Sequence, residues 1–422
     1  MGHERMRILI APDSFKECLS ATYAAHIIAD ACEEVAQERS LDLDLDLIPF
    51  SDGGEGLLDT LLERYDADIH LHNVQGPSGA PVEARWGVLH DDPGWLATNP
   101  LLAAGKALLG SVLVPDLFEG STLEHHKIGA IESAEAIGLH LVPPHKRNPL
   151  KSSSTGLGEL IKRALDMNTG RIWIGLGGSS TVDGGIGALH ELGARFKDSE
   201  GNPVPSRSNR AVGEDLFDIR TVDLSELDHR LEETRITLLC DVENPLLGEH
   251  GAARTYAPQK GATPEQVVRL ERGLENLAGA FEREYIEINP DEPMMGAAGG
   301  LAFGLAAALD ARMVPGADFL IEQHDIAMRL EGADLLILAE GRLDSTSFSG
   351  KAVGTLSGMA RSAGVATMVI AGQGDRDTIL EALDRGILVQ TLIDSPEHTA
   401  HSIEHAPQLI RERAVEALRA FL

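Results

Sequence analysis

Short apolar runs alternate with longer stretches of helical periodicity along most of the 422-residue chain. That alternation predicts an α/β fold with mostly parallel sheets, because two parallel neighbours need a crossover between them, usually a helix. Strands are expected at Arg7–Ala11, Leu43–Pro49, Arg171–Leu176, Ile236–Asp241, Asp334–Ala339, Thr367–Ala371 and Ile387–Leu392. Helices are expected at Ser20–Glu38, Gly54–Tyr65, Gly156–Asp166, Gly184–Ala194, Pro264–Tyr285, Gly296–Leu309, Ala352–Arg361 and Gln408–Phe421. In the last of these, Leu409, Ala414, Leu418 and Phe421 predict an apolar docking face with charge opposite. Loop-forming composition at Gly76–Val82 and at Asn289–Gly296 suggests two crossings between domains. The expected organisation is an outer α/β domain made of 1–78 and 295–422, with a second α/β domain, 79–294, inserted into it. The unevenly patterned stretch Asp91–Lys127 reads as an insertion, and its His125-His126 pair as solvated loop.

Composition narrows the classes. Hydrophobic residues make up 43% of the chain, enough to fold rather than stay disordered. No run approaches the roughly 18 apolar residues of a membrane span, and the start of the chain is too polar for a signal sequence, so a cytoplasmic protein is expected. Cys18, Cys32 and Cys240 are scattered and odd in number, against both a disulfide framework and a cysteine zinc site. The net charge of −30 repels nucleic acid and anionic membranes, and neither is expected as a partner. Only nine of the 36 basic residues are lysine, so the placement of Lys16, Lys260 and Lys351 in glycine- or hydroxyl-rich motifs gains weight.

The chemistry concentrates where strands end. Gly177-Gly178-Ser179-Ser180-Thr181-Val182-Asp183-Gly184-Gly185 lies between an expected strand and an expected helix. Such a turn can offer backbone amides and a helix N-terminus to a phosphate, with Asp183 as an acid inside it. The spacing is neither a dinucleotide fingerprint nor a Walker A loop. Asp13, Ser14 and Lys16 follow the first strand, where open α/β sheets bind ligands. Asp52-Gly53-Gly54-Glu55-Gly56 follows the second, and its two carboxylates can hydrogen-bond substrate hydroxyls or hold Mg²⁺. Asp241 and Asn244 follow a third strand, with Lys260 further on; Asp241 and Asn244 read equally well as turn residues. Gly296–Gly300 opens a helix of small residues, which close packing and ligand approach would each explain. Glu340 sits at a strand end ahead of Asp344, three hydroxyl residues and Gly350-Lys351.

Taken in order, these motifs closely resemble the type I glycerate kinase family, from about residue 7 to 392. Ser180 and Val182 are mild departures from that pattern, and the stretch near 91–127 and the tail beyond Leu392 are longer than usual. The resemblance implies two α/β domains, the outer one Rossmann- or flavodoxin-like, with the active site in the cleft between them. It implies ATP- and Mg²⁺-dependent phosphorylation of D-glycerate, most often to 2-phosphoglycerate, with glycerate and ATP as partners and room for a homodimer. Alternatives are a kinase for another small hydroxy acid and a non-catalytic metabolite sensor of the same fold. On this reading Asp183 and Lys16 are catalytic. Ser14, Lys16, Asp52, Glu55, Asn244 and Lys260 bind substrate. Gly177, Gly178, Ser179, Ser180, Thr181, Gly299 and Gly300 bind nucleotide or phosphate, and Asp52, Asp241 and Glu340 supply metal ligands.

Overall fold

The computed structural model describes residues 5–15, 18–51, 53–54, 56–90, 127–206, 210–348, 351–393 and 395–422. Lys16, Asp52, Glu55, most of the suspected insertion and the His125-His126 pair fall outside them. The fold is α/β with parallel strand pairing, as the alternation of apolar runs predicts.

Contacts divide the chain into two units, Met1–Arg64 with Val314–Leu422, and Tyr65–Met313. The edges between these units fall at 64 and 314, against the sequence-derived boundaries at 78 and 295. The first edge moves because Asp66–Gln75 is a strand paired antiparallel along its whole length with Pro81–His90. The Gly76–Val82 stretch is therefore a hairpin turn and the start of its second strand.

The first unit carries a five-stranded, all-parallel sheet in the order Ile387–Thr391, Ala366–Gly374, Leu335–Leu343, Met6–Pro12, Leu43–Leu47. The chain starts at Met6–Pro12, moves one way to Leu43–Leu47, and later returns to the other flank. The switch point thus lies between Met6–Pro12 and Leu335–Leu343, at whose carboxyl ends such sheets form their crevice. Ile8, Ile10, Ile337 and Met368 are buried in this sheet, beneath Ile28, Cys32 and Val35 of helix Ala21–Arg39 and Ile410, Ala414 and Leu418 of helix Ala406–Phe421. The C-terminal helix does dock, on a stripe of Ile410, Ala414, Ala417 and Leu418, while Leu409 and Phe421 lie half-buried at its edge.

The second unit holds a six-stranded sheet in which Lys127–Glu132, Arg171–Gly175 and Arg235–Leu239 run parallel. Leu160, Ile174, Leu189, Leu277, Phe281 and Phe303 belong to its core. Helix Ala297–Leu309 does not start as a regular helix: Ala298, Gly299 and Gly300 adopt left-handed φ of 52°, 73° and 83°. Further along it, a Cβ on Gly304 would stand 2.0 Å from the Gly184 carbonyl oxygen.

That approach yields a paired prediction. Gly304→Ala must push two backbones apart and should lower the unfolding free energy by about 1–3 kcal/mol. Gly358→Ala, in helix Ala352–Ala363 with open space at its Cβ, should be neutral or stabilising by up to ~1 kcal/mol. Thermal midpoints read the difference, and equal midpoints for the two variants would contradict the packing.

Candidate active site

After strand Arg171–Gly175 the chain runs through the glycine- and hydroxyl-rich turn and enters helix Ile186–Glu191. Gly178, Gly184 and Gly185 hold left-handed φ of 69°, 59° and 79°, which a side chain would strain. Asp183 has no exposed surface. Its Oδ2 accepts hydrogen bonds from the Ser154 amide at 2.7 Å, the Ser154 hydroxyl at 2.7 Å and the Gly187 amide at 3.3 Å. Its Oδ1 accepts one from the Gly185 amide at 3.2 Å. The amides opening the helix, expected to face an incoming phosphate, are thus met by the chain's own carboxylate. Burial pushes the Asp183 carboxyl up from its ordinary value, and these hydrogen bonds pull it back. In this arrangement both oxygens of Asp183, expected to face a substrate hydroxyl, are engaged by donors of the chain itself.

Lys260 closes the same turn from the other side. Its Nζ donates to Ser179 Oγ at 2.9 Å and to the Thr181 carbonyl at 2.8 Å, and the residue is buried. Burial pushes the ammonium down to about 7, with the Asp183 charge opposing. Lys260, expected to bind substrate, is here engaged by the turn itself. The Ser180 amide and hydroxyl both donate to the Ile137 carbonyl, at 2.8 and 2.9 Å. Ser179 and Thr181 are buried. Gly177 and Gly178 remain the accessible part of the turn.

Gly299 and Gly300, expected at a nucleotide, are buried against this turn instead. The Gly299 carbonyl accepts from the Gly184 amide at 3.2 Å, and a Cβ on Gly299 would lie 2.2 Å from the Thr181 carbonyl oxygen. Asn244 is likewise absorbed locally. Its amide nitrogen donates to the His250 carbonyl at 2.7 Å and its Oδ1 accepts from the Tyr256 hydroxyl at 2.6 Å. Ser154, which the sequence reading overlooked, is the partner that completes the hub; its signal was the hydroxyl run Ser152-Ser153-Ser154-Thr155.

In the first unit, a pocket of about 360 Å³ opens at the switch point, lined by Asp13, Ser14, Glu340, Asp344 and Lys351 among others. Strand Met6–Pro12 stops with Pro12 opposite Ala339, and the Asp13 amide caps the Ala339 carbonyl at 2.8 Å. Leu335–Leu343 runs four residues beyond its expected end, still paired with Ala366–Gly374. Glu340 therefore emerges where one neighbouring strand has stopped and the other continues.

Glu340 is 8% exposed. Its Oε2 accepts from Ser347 Oγ at 3.2 Å, whereas Oε1 has no hydrogen-bond partner among the described residues. The Ser347 oxygen in turn accepts from the Asp344 amide at 3.1 Å, which directs its proton to Glu340. Burial is the main force pushing the Glu340 carboxyl up to about 7; Ser347 and Lys351 pull it down, while Asp13 and Asp344 push it up. Asp344 is the opposite case. It accepts from the Thr346 amide and hydroxyl at 2.9 and 2.6 Å, and that hydroxyl above all holds it below the usual carboxylate range.

Among the described residues, no group of three or more carboxylate, histidine or cysteine side chains gathers to hold a metal ion. Of the expected ligands, Asp52 lies outside the described residues, Asp241 belongs to the second unit and Glu340 to the first. No described helix is long and apolar enough to cross a membrane.

A sequence model of the glycerate kinase family matches residues 8–422. The glycerate kinase of Halalkalibacterium halodurans is 35% identical over 365 residues, 86% of this chain and 85% of that protein. The glycerate 2-kinase of Escherichia coli is 35% identical over 346 residues, covering 82% and 80%. A crystal structure named for glycerate kinase 2, from Salmonella typhimurium LT2, superimposes with a TM-score of 0.73 at 31% identity, covering 99% of this chain and 98% of that one.

The buried hub predicts the behaviour of Asp183→Asn. An amide at that position turns donors toward donors, so the variant should lose roughly 3 kcal/mol of stability. Scanning calorimetry should show a clearly lowered midpoint. An unchanged midpoint with abolished turnover would instead mark Asp183 as a group acting on substrate.

Proposed function

Since the chain belongs to the glycerate kinase family and is a kinase, we propose that it transfers the γ-phosphoryl group of ATP to D-glycerate, at the 2-hydroxyl, giving 2-phosphoglycerate. The non-catalytic sensor alternative falls away with the kinase assignment. The observation that carries the substrate reading is the pocket at the switch point. It has the size for a small hydroxy acid, and carboxylates and Lys351 stand around it. Such a mixture suits a substrate with an anionic end and a hydroxyl to be activated. Phosphoryl transfer asks for positioning and charge neutralisation rather than covalent catalysis.

Ser14, in the turn after the first strand, is the proposed partner for a glycerate hydroxyl. Lys16, Asp52 and Glu55 are proposed to complete the substrate shell from outside the described residues. Gly177 and Gly178 are the proposed phosphate contacts of the accessible turn. Mg²⁺ is proposed as the companion of the ATP phosphates, since it binds proteins through one or two carboxylates and keeps several waters. When bound there it would neutralise phosphate charge. A cytoplasmic setting belongs to the same proposal, ATP being the co-substrate.

The test is ADP release coupled to NADH oxidation, with D-glycerate, with and without Mg²⁺. Turnover that needs both is expected, and phosphorus NMR should identify 2-phosphoglycerate as product. Turnover of another hydroxy acid in preference to glycerate would refute the substrate; 3-phosphoglycerate as product would refute the position.

A further inference from the structure

Resting on that functional reading, we infer that ATP binds in a second cavity, built wholly from the second unit, with its phosphates at Lys146 and its ribose at Asp215. The cavity holds about 510 Å³, within the roughly 300–1,000 Å³ usual for small-molecule sites. Its charge sets it apart. Lys146, Lys151, Arg210 and Arg269 line it against Glu214, Asp215 and Asp218, a cationic balance in a chain of net charge −30. A polyphosphate approaching so acidic a protein is repelled except where cations are concentrated. Another cavity, of about 520 Å³ beside Met294, carries Glu287, Glu292 and Asp310 on its wall and no cation, and is unsuited to ATP. The switch-point pocket, at about 360 Å³, is smaller and is already given to the hydroxy acid.

The cations divide into fixed and available ones. Half-buried Arg210 donates through Nη2 to the carbonyls of Pro77 and Lys151, the latter at 3.1 Å, which sets its charge rigidly in the wall. Lys151 pairs with Glu214, and the Arg269 guanidinium lies 5.5 Å from the centre of the Phe217 ring. Lys146 is exposed in the lining and has no ion pair or side-chain hydrogen bond among the described residues. Two residues on, Asn148 uses its Oδ1 for the Leu150 amide at 3.2 Å and keeps its Nδ2 donors for a ligand. The Asn148 carbonyl accepts from the Lys151 amide at 3.0 Å and from the Ser152 hydroxyl at 3.1 Å, so this turn presents its side chains on a closed backbone.

The opposite chemistry sits on the 3-10 turn Gly213–Phe217. Asp215 accepts from the Val212 amide through Oδ2 at 2.8 Å, while its Oδ1 has no partner among the described residues. A half-buried carboxylate oxygen of this kind suits a ribose hydroxyl, which has a proton to donate. The cavity also adjoins the accessible end of the glycine-rich turn. The Leu139 amide donates to the Gly178 carbonyl at 2.8 Å, and the Val142 amide donates to the Leu139 carbonyl at 3.2 Å. Val142 lines the cavity, so one turn of chain separates its wall from Gly178, the phosphate contact already proposed.

The test is steady-state kinetics on the full-length wild type, K146M, D215A and the control K162M, with ATP and D-glycerate varied in turn. Lys162 pairs with Glu191 at 2.8 Å outside the cavity, so K162M removes one positive charge elsewhere in the same unit. K146M should raise the KM for ATP by about tenfold, leaving kcat and the KM for glycerate within about twofold; K162M should change none of the three. Calorimetric binding of the non-hydrolysable analogue AMP-PNP, without glycerate, should weaken in K146M by the same factor. Wild type should prefer ATP to 2′-deoxy-ATP or 3′-deoxy-ATP in kcat/KM, and D215A, its fold checked by circular dichroism, should lose that preference. An unchanged KM for ATP in K146M, an equal rise in K162M, or a rise in the KM for glycerate alone overturns the nucleotide site. If wild type phosphorylates glycerate in that case, the functional reading survives without it. AMP-PNP binding that depends on Lys146, in a protein that phosphorylates no glycerate, upholds the site and refutes the functional reading.

Discussion

One buried carboxylate organises the second unit. Asp183 occupies the start of helix Ile186–Glu191, the place where an anion is most welcome, and takes its hydrogen bonds from Gly185, Gly187 and Ser154. A desolvated charge of this kind tolerates little displacement of its donors. The turn is consequently held from several directions by distant parts of the chain. Lys260 grips Ser179 and Thr181, Ile137 accepts both Ser180 donors, and Gly299 and Gly304 let helix Ala297–Leu309 lie directly on the turn backbone. Most of the glycine and hydroxyl content of this turn serves that closure. What remains at its surface, Gly177 and Gly178, is presented on a rigid base.

The first unit uses carboxylates differently. There the parallel sheet ends in stagger, Met6–Pro12 stopping early and Leu335–Leu343 running on, so the strand itself carries Glu340 into a pocket. Within four residues the chain creates two acids of opposite character. Asp344 is stabilised in its charged form by Thr346, and Glu340 is driven toward its neutral form by burial. Environments that separate two carboxyls in this manner commonly mark acid–base work.

Much of this was legible in the sequence. Strands such as Arg7–Ala11 and Arg171–Leu176 were readable because buried parallel strands are continuous apolar runs. The hairpin Asp66–His90 was not: its first strand alternates polar and apolar residues, and the Gly-Pro-Ser-Gly of its turn resembles a linker. The motifs correctly marked where the chain does something unusual. They could not say whether a glycine-rich turn faces a ligand or its own core, because that depends on segments a hundred residues away. For Asp183, Lys260, Gly299 and Gly300, the partners are inside. For Glu340, the decisive fact was a strand that outlasts its neighbour, which no local pattern encodes. Ser154 was missed because its hydroxyl run has no meaning until it is set against Asp183.

A crystal structure of the protein with D-glycerate tests most directly whether the switch-point pocket receives the substrate while Asp183 stays bound within its turn. Glycerate in that pocket is the expected result, with Asp183 still accepting from Ser154, Gly185 and Gly187. Glycerate bound with its hydroxyl against Asp183, in a reopened turn, would contradict this reading.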